Sequence, residues 1–271
     1  MSQPPADGVV HLFGGPFVTT GTQRREVPAG SRRLLAFVAL RRRPVERRHA
    51  AAVLWPAMAA DRAGGNLRSA LWRLRGAGIE AVTAEQGVLA LAPRVTVDVH
   101  ATGEWAARVV DGRPYPADLA VLPSSTEALD LLPGCYDDWA LIERERLRQQ
   151  ILRALEALSR HLVRARRFGD AVDAAMIAVH AEPLRESAQR ALVEAYRAEG
   201  NVVEARRAYQ AYASLLRTEV GVEPAAELTT LAGCDDARWS DPPAAPCSAF
   251  PRSSPWTPPR PVLRRGRATA V

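Results

Sequence analysis

The chain has 271 residues, 47% of them hydrophobic, and a formal net charge of +6. All 36 basic residues are arginine, so the lysine that a Walker A phosphate loop or a Schiff-base mechanism needs is absent. Three widely spaced cysteines form no CxxC pair, which favours a reducing compartment, and no apolar run is long enough to span a bilayer. We therefore expect a cytoplasmic protein without a membrane partner.

Charge is unevenly distributed along the chain. Residues 1–98 carry 14 arginines against 7 acidic residues, a net charge of +7, whereas residues 99–233 carry 16 against 20, a net charge of −4. A basic first third followed by an acidic body is typical of a nucleic-acid-binding module joined to a second module.

The first 30 residues predict a short lead followed by strands. Residues 1–8 are polar and are expected to be a disordered lead. VVHLFGGPFV at 9–18 alternates and turns like paired strands, and a further strand-like piece surrounds Glu26 and Val27. Ser31 is then placed to cap a helix from Arg32 to about Arg42.

Two further helices are predicted at about 46–55 and 62–75, separated by Pro56. In NLRSALWRLR at 66–75, Leu67, Leu71 and Leu74 recur at helical spacing and form an apolar back. The opposite side is rich in arginine. This is the arrangement of a helix-turn-helix, whose second helix packs by one face and meets base edges with the other, although an ordinary amphipathic surface helix gives the same pattern.

The candidate DNA-binding side chains lie on and around this last helix. Arginine can pair bidentately with guanine O6 and N7, while an indole can contact sugar or a thymine methyl group, or pack on the wing instead. The predicted DNA-binding residues are Arg68, Ser69, Trp72, Arg73 and Arg75. The candidate phosphate contacts are Arg47, Arg48, Arg62 and Gly65, and for Gly64 and Gly65 a plain loop role is the competing interpretation.

Residues 79–99 return to strand patterning, with a hairpin turn near Gln86–Gly87. Strands, three helices and a hairpin in this order predict a winged helix whose N-terminal strands form an additional small sheet, so residues 9–99 are interpreted as the DNA-binding domain. The turn sequence TAEQG carries Glu85 where an arginine would favour insertion into the minor groove.

A proline-rich linker and connecting helix are expected at 100–126, followed by helices throughout 127–233. A shift of 34 residues aligns Ala154 with Ala188 and Ala171 with Ala205. That period is typical of tetratricopeptide repeats, in which small residues allow two helices to approach closely; a generic helical bundle is the alternative. The predicted fold class is therefore mainly α with a small β component. Residues 234–271, rich in proline, serine and arginine, are expected to be a disordered tail.

Several segments in this order resemble the streptomyces antibiotic regulatory protein family, in which an OmpR-like winged helix precedes a bacterial transcriptional activator domain. The segments are AAVLWP, NLRSALWRLR, LALAPRVTVDV, LLPGCYDDWALIERERLRQQILRALEAL, DAAMIAVHAEPLRESAQRALVEAYRAEGN and LRTEVGVEP. Cys135 stands where relatives usually have tryptophan. The nucleotide-hydrolysing domain of larger relatives has no counterpart in this sequence.

The resemblance implies a sequence-specific regulator, an activator of secondary-metabolism-type genes that binds direct repeats in double-stranded DNA. It also implies a homodimer on DNA and contacts between the helical repeats and RNA polymerase. The alternative is a tetratricopeptide-type interaction scaffold whose winged helix is a docking module. No metal-ligand spacing, nucleophile motif or cofactor fingerprint is present, so we expect neither an enzyme nor a bound cofactor.

Overall fold

The computed structural model describes residues 8–120 and 130–233. The predicted tail, residues 1–7 of the predicted lead and residues 121–126 of the predicted linker lie outside these ranges. The first strand begins at Gly8, the last residue of the predicted lead.

The N-terminal half contains seven short strands and four helices, in the order expected of a winged helix with an extra sheet. The strands are β1 Gly8–His11, β2 Phe17–Thr20, β3 Gln23–Glu26, β4 Val45–Glu46, β5 Val82–Glu85, β6 Val88–Leu91 and β7 Val95–Val97. The helices are α1 Arg32–Leu40, α2 Arg47–Leu54, α3 Ala60–Gly76 and α4 Asp98–Val110.

The strands form two small sheets. One sheet has the order β3-β2-β1-β7, in which β1 pairs antiparallel with β2 and parallel with β7. The other has the order β4-β6-β5 and is the wing. Its hairpin turns at Gln86 and Gly87, both with positive φ as a two-residue type I′ turn requires, so the predicted hairpin is confirmed.

The C-terminal half consists of helical hairpins. Its helices are α5 Asp138–Arg164, α6 Phe168–Ala181, α7 Glu186–Glu199, α8 Val202–Glu219 and α9 Ala226–Ala232. The small residues that the 34-residue shift aligned, Ala171 in α6 and Ala205 in α8, are both fully buried. The predicted fold class, a winged helix followed by tetratricopeptide-like repeats, is confirmed. Within the described residues no helix is both long and apolar enough to cross a membrane.

Two local predictions were wrong. Ser31 precedes α1 but makes no capping bond; its buried hydroxyl instead donates to the carbonyl oxygen of Ala70 in α3, at 2.8 Å. The loop interpretation of Gly64 and Gly65 also fails, because both lie inside α3. In each case the packing of α3 against the rest of the domain outweighs the preference of the residue for a cap or a loop.

The two predicted domains share one hydrophobic core. The Phe37 ring of α1 meets the Trp139 ring of α5 edge to face, with centroids 5.3 Å apart. The Arg33 guanidinium donates two hydrogen bonds to the Asp137 carboxylate, and Leu132 N–H donates to the Leu12 carbonyl at 3.0 Å. Buried side chains therefore continue without interruption from the winged helix into α5.

The shared core predicts that both halves unfold together. Phe37→Ala should lower the free energy of unfolding by about 3–5 kcal/mol, since it empties a fully buried aromatic site. Thermal denaturation followed by circular dichroism should show one cooperative transition in both the original chain and the variant. The exposed Tyr136 provides a control, because Tyr136→Ala should change stability by less than about 0.5 kcal/mol. Two separate transitions in the original chain would contradict the shared core.

Candidate nucleic-acid interface

The candidate interface is centred on the outer face of α3. Leu67, Leu71 and Leu74 are buried as predicted and hold the helix to the core. Arg68, Ser69, Trp72 and Arg75 lie exposed on the other side, as does Arg62 in the first turn of α3.

The sequence also explains where α3 ends. Arg73 and Arg75 lie in its last turn, where positive charge interacts favourably with the helix dipole. Gly78 follows with a φ of +69°, and Ile79 N–H donates back to the Leu74 carbonyl at 2.9 Å. This left-handed glycine terminates the helix and turns the chain toward the wing.

The short 3-10 turn Ala29–Ser31 is hydrogen-bonded to α3. Besides the Ser31–Ala70 hydrogen bond, the Arg73 Nη2 donates to the Gly30 carbonyl at 3.1 Å. A Cβ at position 30 would lie 2.9 Å from the same guanidinium, so any other residue would require the end of the Arg73 side chain to shift. Arg73 is thus half-buried at the edge of the exposed face, with one of its donors already used.

Trp72 lies at the centre of the exposed face. Its side chain is 74% exposed, so the suggestion that it packs on the wing is not realised. Arg68 and Ser69 lie one turn before it and Arg75 one turn after, and none of these covers the indole.

The guanidinium groups of five arginines around this face have no hydrogen-bonding or ion-pairing partner within residues 8–120 and 130–233. Most arginines between the start of α5 and the end of α8 are paired with an acidic residue, for example Arg148 with Glu145 and Arg185 with Glu156. Their charge is neutralised, whereas that of the α2–α3 surface remains available to an anion. The five residues are Arg47, Arg48, Arg62, Arg68 and Arg75.

A groove of about 770 Å³ runs between α2 and α3. Arg47, Arg48 and Arg68 line it, Asp61 is its one acidic lining residue among those described, and small side chains and Gly64 form much of its floor. The start of α2 is fixed by the wing, because Arg47 N–H donates to the Gly87 carbonyl at 2.9 Å. The groove therefore combines positive charge with room for a sugar–phosphate strand.

Gly65 belongs to this surface, but not as the backbone phosphate contact that the sequence predicted. A phosphate contact through its N–H would require an unpaired donor, but residue 65 lies beyond the first turn of α3, where backbone donors are used within the helix. A Cβ here would meet only the end of Arg68, at 3.8 Å. No packing inside the protein therefore requires glycine, although glycine lowers helix stability.

The acidic residues around the start of α5 have structural partners. The Glu143 and Glu145 carboxylates pair with Arg146 and Arg148 on the same helix, and hydrogen bonds from Arg148 lower the pKa of Glu145. Asp137 binds Arg33. In the wing, Glu85 is exposed beside the turn, so the acidic character expected there is present.

Sequence reasoning missed the two residues that support α3 from behind, Gly30 and Ser31. Their contacts with Arg73 and Ala70 join positions about 40 residues apart, which local periodicity does not report. The combination of a glycine and a serine before a predicted helix looked like an ordinary helix start.

Comparison with known proteins supports both halves of this description. Residues 124–233 match the family model of the bacterial transcriptional activator domain, which confirms the resemblance over that range. The fold is similar to the solved structure of Mycobacterium tuberculosis EmbR in complex with a low-affinity phosphopeptide, with a TM-score of 0.66 and 20% sequence identity. That similarity covers 84% of this chain and 64% of the EmbR chain, so this chain spans less than two thirds of its length. No curated protein matches the sequence.

Replacing Gly65 should raise the stability of the protein and lower its affinity for DNA. Gly65→Ala should raise the free energy of unfolding by about 0.5–1 kcal/mol, because alanine favours the helix. It should also weaken DNA binding, since the added methyl group stands on the face that carries Trp72. Thermal melting and a gel-shift titration measure the two effects.

Gly169→Ala in α6 is the matched control. Gly169 is exposed, lies in the first turn of α6, and a Cβ added there would have nothing within 4 Å. Its substitution should leave DNA affinity unchanged. Unaltered DNA affinity in Gly65→Ala would show that the α3 backbone does not approach DNA at this point.

Proposed function

We propose that this chain, which carries a bacterial transcriptional activator domain after a winged helix, is a sequence-specific DNA-binding regulator of transcription. The observation that carries the proposal is the surface around α3, where Arg47, Arg48, Arg62, Arg68 and Arg75 have no partner among the described residues. Unpaired arginines on a helix–turn–helix surface suit a polyanion, because each phosphate they neutralise releases counterions.

In this proposal α3 lies in the major groove. Arg68 is placed to pair with a guanine, and Ser69 and Trp72 contact neighbouring base edges. Arg73 and Arg75 contribute from the edge and the end of the helix, with Arg73 partly held by Gly30. Contacts of this kind provide sequence discrimination.

Phosphate contacts come from the other side of the groove. Arg47 and Arg48 lie at the start of α2, where the helix dipole also favours an anion. Arg62 begins the exposed face of α3, and Gly65 allows close approach of the strand. These contacts position the protein on the duplex without selecting a sequence.

Residues 99–233 would supply the activating function. They carry a net charge of −4 and are therefore poorly suited to DNA. We assign them contacts between protomers bound to direct repeats, and contacts with RNA polymerase, at promoters of secondary-metabolism-type genes. Binding as a homodimer on DNA raises affinity because the second site is engaged at a high effective concentration.

A second candidate is an interaction scaffold of the tetratricopeptide type. The observation in its favour is a groove of about 410 Å³ on α6–α8, lined by Met176, Leu192, Tyr196 and Leu215 among others. In that case the arginines around α3 would have no polyanion to bind. Salt-dependent DNA binding therefore separates the two functions.

The salt dependence of DNA binding should decrease when phosphate contacts are removed. The double variant Arg47→Ala/Arg48→Ala should lower the slope of log affinity against log salt by about 1.8, since each contact contributes about 0.9. Gel-shift titrations at several salt concentrations provide the slope. Arg160→Ala/Arg164→Ala on α5 is the matched control, since both arginines are exposed and unpaired among the described residues but lie outside the α2–α3 surface. An unchanged slope in the first variant would remove these residues from the interface.

Binding to direct repeats should be cooperative. DNA with two copies of a selected site in the same orientation should give a steeper binding curve than DNA with one copy, because neighbouring protomers contact each other. Inserting about 5 base pairs, half a helical turn, should abolish the cooperativity by placing the protomers on opposite sides of the duplex. Independent binding at every spacing would contradict the proposed dimer on DNA.

A further inference from the structure

Trp72 is unusual among the tryptophans of the described residues. Trp105 is buried and its indole N–H donates to the Asp118 carbonyl at 3.1 Å, while Trp139 packs against Phe37. Trp55 is partly buried against the core. Trp72 alone among them exposes most of its ring, 74%, although it lies in the middle of a helix whose opposite side is firmly packed.

The surroundings of the ring indicate what kind of surface covers it. On the same face of α3, Arg68 and Ser69 precede it by one turn and Arg75 and Gly76 follow it by one turn. The two arginines have no acidic partner among the described residues. An apolar protein partner would have to bury these charges, at a large desolvation cost, whereas DNA would neutralise them.

We propose that Trp72 reads thymine by packing its indole against the C5 methyl group in the major groove. This inference rests on the proposed function, in which the face of α3 that carries Trp72 meets the base edges. Thymine is the base that presents an apolar group in the major groove, and apolar side chains recognise it by contact. An exposed indole therefore has one chemically matched partner there.

The spacing on α3 adds a second requirement. Arg68 lies one helical turn, about 5.4 Å, before Trp72. Consecutive base pairs are about 3.4 Å apart along the duplex axis. A guanine paired with Arg68 and a thymine packed on Trp72 therefore lie within one or two base pairs of each other, and the recognised sequence contains both.

The test uses the full chain and DNA selected by it from a random-sequence pool. Each thymine of the selected site is replaced in turn by deoxyuridine, which removes the methyl group and leaves the hydrogen-bonding groups unchanged. At one thymine in each half-site the affinity should fall about fourfold, the ratio expected for one methyl group leaving an apolar contact. Placing 5-methylcytosine rather than cytosine at that position should restore part of the affinity, because its methyl group occupies the same place.

Trp72→Ala completes a double-substitution cycle. The variant should fold and melt like the original chain because the ring is exposed, should bind the thymine site more weakly, and should no longer distinguish thymine from deoxyuridine. Tyr136→Ala, which removes another exposed aromatic ring outside the α2–α3 surface, should retain the full thymine preference.

Two results overturn the inference while leaving DNA binding intact. In one, deoxyuridine at every position leaves the affinity of the original chain unchanged; in the other, Trp72→Ala keeps the same preference for thymine over deoxyuridine. Either would assign the ring to sugar or phosphate contact, or to no contact. Failure of the proposed function would look different, since no sequence would be enriched and no salt-dependent binding would be observed.

Discussion

Helix α1 has no solvent-facing side from Leu34 to Leu40, and the arrangement of the remaining elements depends on this burial. A helix that is apolar all round must be covered on every side. The helix-turn-helix and the wing cover one part of its surface, and the start of α5 covers another through the Phe37–Trp139 ring contact. The α2–α3 surface and the C-terminal helices are consequently positioned by the same seven residues. The turn before α1 also helps to position α3, because the Ser31 hydroxyl donates a hydrogen bond to the Ala70 carbonyl.

Features governed by neighbours in sequence could be predicted. The spacing of Leu67, Leu71 and Leu74 identified the buried face of α3, and the dipeptide Gln86–Gly87 identified the wing turn, because helix periodicity and turn conformation are local properties. The role of Ser31 was not predictable in this way. An N-cap is the usual local use of a serine before a helix, but burial against α3 offered the Ala70 carbonyl instead.

The candidate site also combines features that local sequence predicts with features that depend on distant residues. Exposure of Arg68 and Trp72 follows from the helix face, whereas the partial anchoring of Arg73 requires a residue 43 positions away. The lack of partners around α3 has a local origin that the sequence does display. Arginines of the repeat helices often have an acidic residue three positions earlier, as Arg146 and Arg207 do, and form ion pairs with it. The five arginines of the α2–α3 surface have no acidic residue three or four positions away, so no ion pair of this local kind can form there.

The continuous burial around α1 constrains how such a chain can be recombined with others. A crossover immediately after residue 98 would separate Phe37 from Trp139 and Arg33 from Asp137. The new C-terminal sequence would then have to supply the partners of the buried ring and of the arginine. A hybrid chain would keep the shared core only if its new C-terminal half brought an equivalent ring and carboxylate, or if the crossover fell inside α5. The winged-helix half and the first turns of α5 are therefore expected to be inherited together and to diverge in concert, whereas exposed positions of α3 can change without disturbing the shared core.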